Sequence, residues 1–253
     1  MTTLPDIAPV ARFALPDGRR IAYRHHSGAG PAIVFLPGYK SDMSGSKALA
    51  VLHWAAARGV GCLLFDYSGC GQSDGDFGHG TLSHWRDELL ALIDHCRLTR
   101  VVLVGSSMGG WLSLLVAEAL GLRVAGLVGI AAAPDFTDWG LDDAAKAALA
   151  AGQVVLEDNP YGPEPTPTYP GFWADGQAQR RLDAPIDFAG PVRLLHGQAD
   201  ADVPWDIALR LGAALRSADV QTVLIKDGDH RLSRDADIAL LLATLAGLFE
   251  GFA

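Results

Sequence analysis

The fold of this chain is decided by one stretch, which reads Val101-Val102-Leu103-Val104-Gly105-Ser106-Ser107-Met108-Gly109-Gly110-Trp111-Leu112. A run of β-branched apolar residues stops at Gly105, and an apolar segment with helical spacing begins after Gly110. Continuous apolar residues ending at a glycine are typical of a buried strand. The stretch therefore predicts a strand, a sharp turn and a helix, with Ser107 on the turn.

The glycines around Ser107 have a physical role in that turn. The turn brings backbone against backbone, so a Cβ atom at Gly105 or Gly109 would obstruct it. It also leaves the Met108 N–H at a helix N-terminus, where negative charge is favoured. Strand, turn and helix around a Gly-x-Ser-x-Gly pattern are the context of a nucleophile elbow. We therefore interpret Ser107 as a nucleophile.

A second match to the same pattern lies earlier in the chain. It reads Gly71-Gln72-Ser73-Asp74-Gly75. It sits in a polar, glycine-rich segment, with no strand directly before it and no apolar helix directly after it. We therefore expect Ser73 to be a loop residue.

Length and composition predict one α/β domain over residues 1–253. About half of the 253 residues are apolar, which is enough for a sizeable core, and no apolar run is long enough to span a bilayer. The formal net charge is -9 with no cluster of Lys or Arg, which argues against nucleic acid as a partner. Residues Met1 to Val10 carry no basic residue and no apolar core. We therefore expect no signal or transit peptide, and a cytoplasmic protein.

The cysteines do not form a recognisable metal or disulfide pattern. Cys62, Cys70 and Cys96 are an odd number without paired spacing. We expect free thiols and no metal site.

Strands and helices alternate along most of the chain. An opening hairpin is predicted around Pro16-Asp17-Gly18, followed by buried strands and helices. The predicted strands are Ala32–Leu36, Gly61–Phe65, Val101–Gly105, Val124–Ala131, Val192–His196 and Val220–Ile225, and the predicted helices are Lys47–Arg58, Thr81–Cys96, Ser107–Leu120, Pro204–Arg216 and Asp235–Phe252. This alternation predicts a mostly parallel sheet with helices on both faces. Sites in such folds lie beyond the carboxyl ends of the strands.

The alternation breaks between residues 134 and 185. Two aromatic and proline clusters flank one Ala-rich helix, predicted over Asp142–Ala151. The proline-rich residues 159–170 are incompatible with a central strand or a helix. We interpret residues 134–185 as a lid or cap insertion that covers one edge of the sheet.

A serine hydroxyl needs a base, and the base needs an orienting acid. Asp200 follows the strand Val192–His196, and His230 follows the strand Val220–Ile225. The order Ser, Asp, His is the one expected on this kind of sheet. We assign Ser107 as nucleophile, His230 as general base and acid, and Asp200 as the carboxylate that holds the imidazole.

Alternatives remain for these assignments. His230 is a solvated loop histidine in the simplest alternative, and His196 is a rival base that we expect to pack or bond locally. Asp202 is an alternative acid, or else it caps the helix that opens at Pro204. Asp135 follows an earlier strand and is a further alternative acid. We expect Asp66 and Tyr67 to brace a nearby loop, and we assign no role to the other histidines.

An oxyanion hole requires two backbone N–H groups. Met108 supplies one of them at the elbow. The second is expected from the loop after Ala32–Leu36, and the residue that follows Gly38 is placed for it. We nominate Tyr39.

With these features the chain resembles the α/β-hydrolases from about Ala32 to its C-terminus. It is more specifically similar to the mitochondrial-type palmitoyl-protein thioesterases, also known as acyl-glucuronide esterases. The resemblance is carried by Leu36-Pro37-Gly38-Tyr39, Phe65-Asp66-Tyr67-Ser68-Gly69, Gly105–Leu112, Pro191–Gly197, Asp200, Val203-Pro204-Trp205 and Asp229-His230-Arg231. It implies the α/β-hydrolase fold, a triad of Ser107, Asp200 and His230, and hydrolysis of S-acyl thioesters or acyl esters without a cofactor. The chain departs from that family in the expected absence of a transit peptide and in the proline- and tyrosine-rich insertion, where acyl specificity would be set.

The function predicted from the sequence is hydrolysis of an acyl ester or thioester through an acyl-enzyme. Five aromatic residues are candidates for an acyl pocket: Tyr39, Trp139, Tyr161, Phe172 and Trp173. Alternatively, these residues hold the insertion to the body of the protein. Alternatives are a small-molecule carboxylesterase, a peptidase or a carbon–carbon hydrolase, and, from another class, a non-catalytic binding protein. Serine at the elbow excludes haloalkane dehalogenases and epoxide hydrolases, which carry aspartate there, and dienelactone hydrolases, which carry cysteine. Leaving group, acyl length and oligomeric state are open.

Overall fold

The computed structural model describes residues 8–159 and 162–252. Its centre is an eight-stranded sheet in the order β1-β2-β4-β3-β5-β6-β9-β10. The strands are β1 Ala11–Ala14, β2 Arg20–His26, β3 Ala29–Leu36, β4 Val60–Phe65, β5 Val101–Ser106, β6 Val124–Ile130, β9 Val192–Gly197 and β10 Val220–Ile225. A separate two-stranded sheet pairs β7 (Val155–Glu157) with β8 (Thr166–Thr168).

The predicted mostly parallel sheet is confirmed. Strand β2 is antiparallel to β1 and β4, and each of the other five neighbouring pairs is parallel. The opening hairpin is confirmed as well, because β1 and β2 pair across the turn that contains Gly18, whose φ is 89°. The carboxyl ends of the central strands β3, β5, β6 and β9 therefore meet at one edge of the sheet.

Helices cover both faces of this sheet. They are α1 Ser46–Arg58, α2 Leu82–His95, α3 Met108–Leu120, α4 Phe136–Trp139, α5 Asp143–Ala150, α6 Pro170–Ala178, α7 Asp206–Ala214 and α8 Asp235–Glu250, with short 3-10 turns at Phe77–His79 and Gly121–Arg123. No helix in the described part of the chain has the length and hydrophobicity needed to span a bilayer.

The sheet separates two hydrophobic layers because successive side chains of a strand point to opposite faces. On β5, Val101 and Leu103 pack with residues of α2 and α3, whereas Val102 and Val104 pack with residues of α1 and α8. A continuous apolar run is therefore what a strand buried on both faces requires, as the sequence predicted.

The insertion contains more regular structure than the sequence predicted. The single helix predicted over Asp142–Ala151 is present as α5, but α4, α6 and the β7–β8 hairpin were missed. Helix α6 begins at Pro170, where the fixed φ of proline suits the first helical position. Pro167 lies in β8, in a two-stranded sheet that has only edges. The lid role of residues 134–185 stays a prediction.

The insertion lies over the body of the protein on the side of α2 and α3. Helix α6 contacts α2 and the Phe77–His79 turn. The Trp111 indole on α3 donates a hydrogen bond of 3.1 Å to the carbonyl oxygen of Gln179, directly after α6. The three cysteines are free thiols, as expected.

Candidate active site

The predicted elbow is a tight connection between β5 and α3. Ser107 is the single residue between them, and its φ of 54° and ψ of -120° are strained for a residue with a Cβ atom. A Cβ on Gly105 would lie 2.3 Å from the Gly109 carbonyl oxygen, and one on Gly109 would lie 2.1 Å from the Leu36 carbonyl oxygen. The physical reason proposed for these two glycines is therefore confirmed.

The structure brings together Ser107 and His230, which are 123 residues apart in the sequence. His230 Nε2 lies 3.0 Å from Ser107 Oγ, and His230 Nδ1 lies 2.9 Å from Asp200 Oδ2. The carboxylate only accepts hydrogen bonds, which assigns the proton of the neutral ring to Nδ1 and leaves Nε2 to accept from the serine hydroxyl. The three side chains form one continuous hydrogen-bonded chain.

Asp200 is the most tightly held of the three. Its side chain is completely buried, and Oδ1 accepts the backbone N–H groups of Asp202 (2.9 Å) and Val203 (2.8 Å). Burial by itself would raise the pKa of Asp200, but the interactions with His196 and His230 and the Val203 N–H outweigh it and hold that pKa well below its usual range. Asp200 is therefore an anion at neutral pH.

The rival His196 lies on the other side of the same carboxylate. His196 is fully buried at the end of β9, with Nε2 3.0 Å from the Val203 carbonyl oxygen and 3.3 Å from Asp200 Oδ2. It bonds locally, as expected, but the sequence analysis did not foresee its contact with Asp200.

The loop that carries His230 is anchored on both sides. Asp229 accepts the Leu232 N–H at 2.9 Å, and the Lys47 ammonium of α1 donates to the Arg231 carbonyl oxygen. Burial lowers the pKa of Lys47 to about 8. Lys47 was missed in the sequence because nothing in the helical pattern of α1 distinguishes it from a surface lysine.

The two residues nominated for an oxyanion hole lie on either side of Ser107. Met108 is the first residue of α3, so its N–H has no acceptor within the helix. The loop after β3 passes close to Ser107, because a Cβ on Gly38 would lie 3.4 Å from Ser107 Cβ. No described backbone carbonyl accepts the N–H of Tyr39, which follows Gly38.

The side chain of Tyr39 belongs to an aromatic cluster that joins the insertion to the body. Its ring centroid lies 4.8 Å from those of Phe77 and Phe172, and its hydroxyl donates a hydrogen bond of 2.9 Å to the Pro167 carbonyl oxygen. Phe172 is only 1% exposed. For Tyr39 and Phe172 these contacts favour the role of holding the insertion in place.

The other nominated pocket residues are distributed around the insertion. Trp139 donates a hydrogen bond of 2.7 Å to the Pro134 carbonyl oxygen and packs near Ala133 and Val203, which flank the Ser107 and Asp200 loops. The Trp173 indole N–H is buried without a partner among the described residues. Tyr161 lies outside the described residues.

The residues considered as alternatives for the site, and those near it, have structural roles. The carboxylate of Asp135 accepts the N–H groups of Arg181 (2.8 Å) and Leu182 (2.7 Å), and that of Asp66 accepts those of Met43 and Gln72. Ser73 accepts the Ala22 N–H and donates to the Asp66 carbonyl oxygen. These residues brace loops, which is the role expected for Asp66, and Ser73 lies in a loop, as expected.

One group among the described residues has three potential metal-binding atoms close together. Ligand atoms of Asp200, Asp202 and His230 lie within 4.8 Å of one another. Two of the three side chains are engaged in the hydrogen-bonded chain to Ser107. The hydrogen bonds among Asp200, His230 and Ser107 therefore explain why these atoms are close together, and the exposed Asp202 lies beside them.

Comparison with known proteins places this chain in the alpha/beta hydrolase family. A family profile described as "Alpha/beta hydrolase family" matches residues 33–244. The human protein named "Palmitoyl-protein thioesterase ABHD10, mitochondrial" is 37% identical over 244 residues, which cover 93% of this chain and 78% of the human protein. These matches agree with the resemblance inferred from the sequence.

Two solved structures are similar over nearly their whole length. Alpha/beta hydrolase domain-containing protein 10 from mouse superimposes with a TM-score of 0.90 at 34% identity, covering 97% of this chain and all of the mouse chain. A putative hydrolase from Agrobacterium vitis S4 superimposes with a TM-score of 0.88 at 41% identity, covering 95% of this chain and 99% of the other. The expected fold is thereby confirmed.

The comparison corrects the expected location. The relatives from human, orangutan (Pongo abelii) and mouse are all named as mitochondrial proteins. The cytoplasmic expectation is therefore wrong. It rested only on the composition of the first ten residues, which does not decide the compartment of a protein.

Proposed function

Because this chain belongs to the alpha/beta hydrolase family and is an ester or thioester hydrolase, we propose that Ser107, His230 and Asp200 are its catalytic triad and that it acts through an acyl-enzyme. One observation carries the proposal. Three side chains from three separate loops meet in a single hydrogen-bonded chain, and the serine at its end has the strained backbone of an elbow. Such a convergence is the geometric signature of an activated serine.

Acylation begins at the hydrogen bond between Ser107 and His230. The Ser107 oxygen attacks the acyl carbonyl carbon while its proton passes to His230 Nε2, which lies 3.0 Å away. Asp200 keeps the Nδ1 proton of His230 oriented and stabilises the imidazolium that forms. His230 then gives the Nε2 proton to the departing alcohol or thiol, which leaves the acyl group as an ester of Ser107.

The tetrahedral intermediate carries a negative oxygen that needs two donors. We assign the backbone N–H groups of Met108 and Tyr39 to it, because Met108 follows Ser107, Tyr39 follows Gly38 in the adjoining loop, and neither N–H donates to a backbone carbonyl among the described residues. The N-terminus of α3 adds a favourable dipole. Removal of one such donor in other enzymes costs about 10²- to 10³-fold in kcat.

Deacylation repeats these steps with water. His230 Nε2 removes a proton from water, the hydroxide attacks the acyl-enzyme carbonyl, and the proton returns to Ser107 as the acid departs. The net reaction consumes one water and releases one carboxylic acid. No cofactor enters this scheme, which agrees with what the family resemblance implies.

We further propose an acyl thioester or acyl ester as the substrate, as the name of the human relative suggests. Specificity for the acyl group then resides in the insertion and in Tyr39, Trp139, Tyr161, Phe172 and Trp173. Tyr39 and Phe172 are in mutual contact, so a long acyl chain has to pass beside them or displace them. Trp139 and Trp173 are only partly buried and are better placed for direct contact.

The test is hydrolysis of matched acyl esters and acyl thioesters of two to sixteen carbons by wild type and Ser107→Ala. We expect loss of about 10⁴- to 10⁶-fold in kcat for the variant on triad precedents. Ser73→Ala is the matched control, since Ser73 lies in the same sequence pattern but braces a loop. Its specific activity per folded molecule should stay near that of wild type.

The chain-length profile separates the substrate classes. Preference for long-chain thioesters supports the depalmitoylase-like proposal, and preference for short esters indicates a small-molecule carboxylesterase. Retained activity in Ser107→Ala would reject the triad, and a wild type inactive on the whole series would favour a peptidase or a non-catalytic role.

A further inference from the structure

A second histidine, His196, also contacts Asp200, the acid of the proposed triad. His196 is the next-to-last residue of β9, and its Nε2 atom lies 3.3 Å from the Asp200 oxygen that also faces His230. The side chain of His196 is 1% exposed and that of Asp200 is completely buried. Asp200 Oδ2 is therefore enclosed between two imidazole rings, of which only one touches Ser107.

The protonation of His196 follows from its other contact. The Val203 carbonyl oxygen, 3.0 Å from Nε2, only accepts hydrogen bonds, so Nε2 must carry the proton. The same nitrogen lies 3.3 Å from Asp200 Oδ2, and this contact helps to lower the pKa of Asp200. His196 Nδ1 is buried without a partner among the described residues. The N–H at Nε2 therefore bonds to the Val203 carbonyl oxygen and lies beside Asp200 Oδ2.

From this arrangement we infer that His196 is a positioning residue for catalysis, which aims the Asp200 carboxylate at His230 and withdraws part of its negative charge. The inference rests on the proposed triad. Each Asp200 oxygen then lies beside two N–H groups: Oδ1 accepts those of Asp202 and Val203, and Oδ2 lies 2.9 Å from His230 Nδ1 and 3.3 Å from His196 Nε2. Contacts at both oxygens therefore hold the carboxylate in place beside His230.

Through Asp200, His196 is expected to affect His230, the proposed base. A carboxylate that shares its charge with His196 attracts protonated His230 less strongly than one that does not. Removal of the donor should move the acid limb of kcat/KM to higher pH, since the free enzyme needs the base form of His230. The proposal therefore predicts a shift in a pH profile, which a loss of packing alone would not produce.

The other charged groups around this arrangement are the same in every variant of the test. They are Asp202 on the Asp200 loop, Asp229 and Arg231 on the His230 loop, and Lys47 of α1, which bonds to the Arg231 carbonyl oxygen. A shift that appears only on substitution of His196 is then due to His196.

The experiment compares His196→Gln, His196→Asn and His196→Phe in the full-length protein. The Gln amide nitrogen lies as many bonds from the backbone as Nε2, whereas the Asn amide nitrogen corresponds to Nδ1 and points away from Asp200. We expect Gln to keep the acid limb of kcat/KM near wild type. For Asn and Phe we expect an upward shift of about half a pH unit or more and a kcat lowered about ten-fold or more.

Two controls make the result decisive. Leu195→Ala removes buried packing from the adjacent residue of β9 and should lower stability without moving the pH profile. Ser107→Ala tests the triad itself, and its retained activity would reject the proposed function. If Ser107→Ala is inactive and Gln and Asn both show the wild-type acid limb, the triad stands and the role of His196 is rejected. Should the Phe variant not fold, the Gln and Asn pair alone decides.

Discussion

The carbonyl oxygen of Leu36 occupies the place that a side chain on Gly109 would need. A Cβ atom on Gly109 would approach this oxygen to 2.1 Å, although the two residues are far apart in the sequence. The contact lets the end of β3 pass directly over the start of α3. It therefore brings the loop that contains Tyr39 next to Ser107.

Gly109→Ala should consequently displace either β3 or the elbow. We expect a loss of roughly 3 kcal/mol or more in the free energy of unfolding, since the obstacle is backbone that has no room to move. Activity should fall further than stability alone explains, because the Tyr39 loop and Ser107 are pushed apart. Urea unfolding and kcat/KM of the folded protein measure the two effects.

Gly247→Ala is the matched control for that substitution. Gly247 lies within α8, and a Cβ atom there meets nothing within 4 Å. Alanine should raise the free energy of unfolding by about 0.5–1 kcal/mol, because glycine is a poor helix former. Equal losses of unfolding free energy in Gly109→Ala and Gly247→Ala would contradict the steric explanation.

The identity of the triad acid can be tested with asparagine substitutions. Asp200→Asn should lower kcat by about 10⁴-fold, because the amide can donate to His230 Nδ1 and so favour the wrong tautomer. Asp135→Asn should instead keep kcat within a few-fold. The Asp135 carboxylate accepts the backbone N–H groups of Arg181 and Leu182, so replacing it should cost about 1–3 kcal/mol of stability.

Asp202→Asn completes this series. Asp202 is exposed beside the site, so its amide should leave kcat within a few-fold of wild type. A large loss in Asp202→Asn with a small one in Asp200→Asn would transfer the role of the acid to Asp202.

The low pKa of Asp200 predicts a pH-dependent stability. Its ordinary pKa is 3.8, and the folded protein holds it lower, so above pH 3.8 the ionised group contributes its full stabilisation. As the pH falls below that value, the unfolded chain takes up a proton that the folded protein does not, and the contribution declines. The difference in unfolding free energy between wild type and Asp200→Asn should therefore be larger at pH 6 than at pH 3. A difference that stays constant over this range would contradict the low pKa.

Tyr39→Phe should separate the role of the Tyr39 hydroxyl from that of its ring and backbone N–H. The variant loses the hydrogen bond from the hydroxyl to the Pro167 carbonyl oxygen but keeps the ring contacts and the backbone N–H. We expect about 1 kcal/mol lower stability and faster amide exchange around residues 166–168. The kcat for short acyl substrates should be unchanged, and a fall would show that the hydroxyl acts in the chemistry.

The sequence predicted the elements of the sheet because each has a local cause. Strand β5 and helix α3 appear within one residue of their predicted bounds, since a β-branched run and two glycines determine them. The partners Ser107, Asp200 and His230 were foreseen from their places after three strands, and the structure brings them within hydrogen-bond distance. Their catalytic roles stay a prediction.

What the sequence did not reveal depends on contacts between distant residues. Helix α6 was missed because its stability comes from burying Phe172 among aromatic residues of other elements, not from helical periodicity. The contact between His196 and Asp200 was missed because it requires the turn that brings the Val203 carbonyl oxygen back to the end of β9. Neither relationship has a signature in neighbouring residues.

The position of Tyr39 links two properties that are often varied separately in enzymes. Its ring and hydroxyl fasten the insertion, while its backbone N–H is assigned to the oxyanion. A change in the insertion that alters which substrates fit will therefore also displace the residue whose N–H we propose as an oxyanion donor. Selectivity and turnover are therefore expected to change together when the insertion is redesigned.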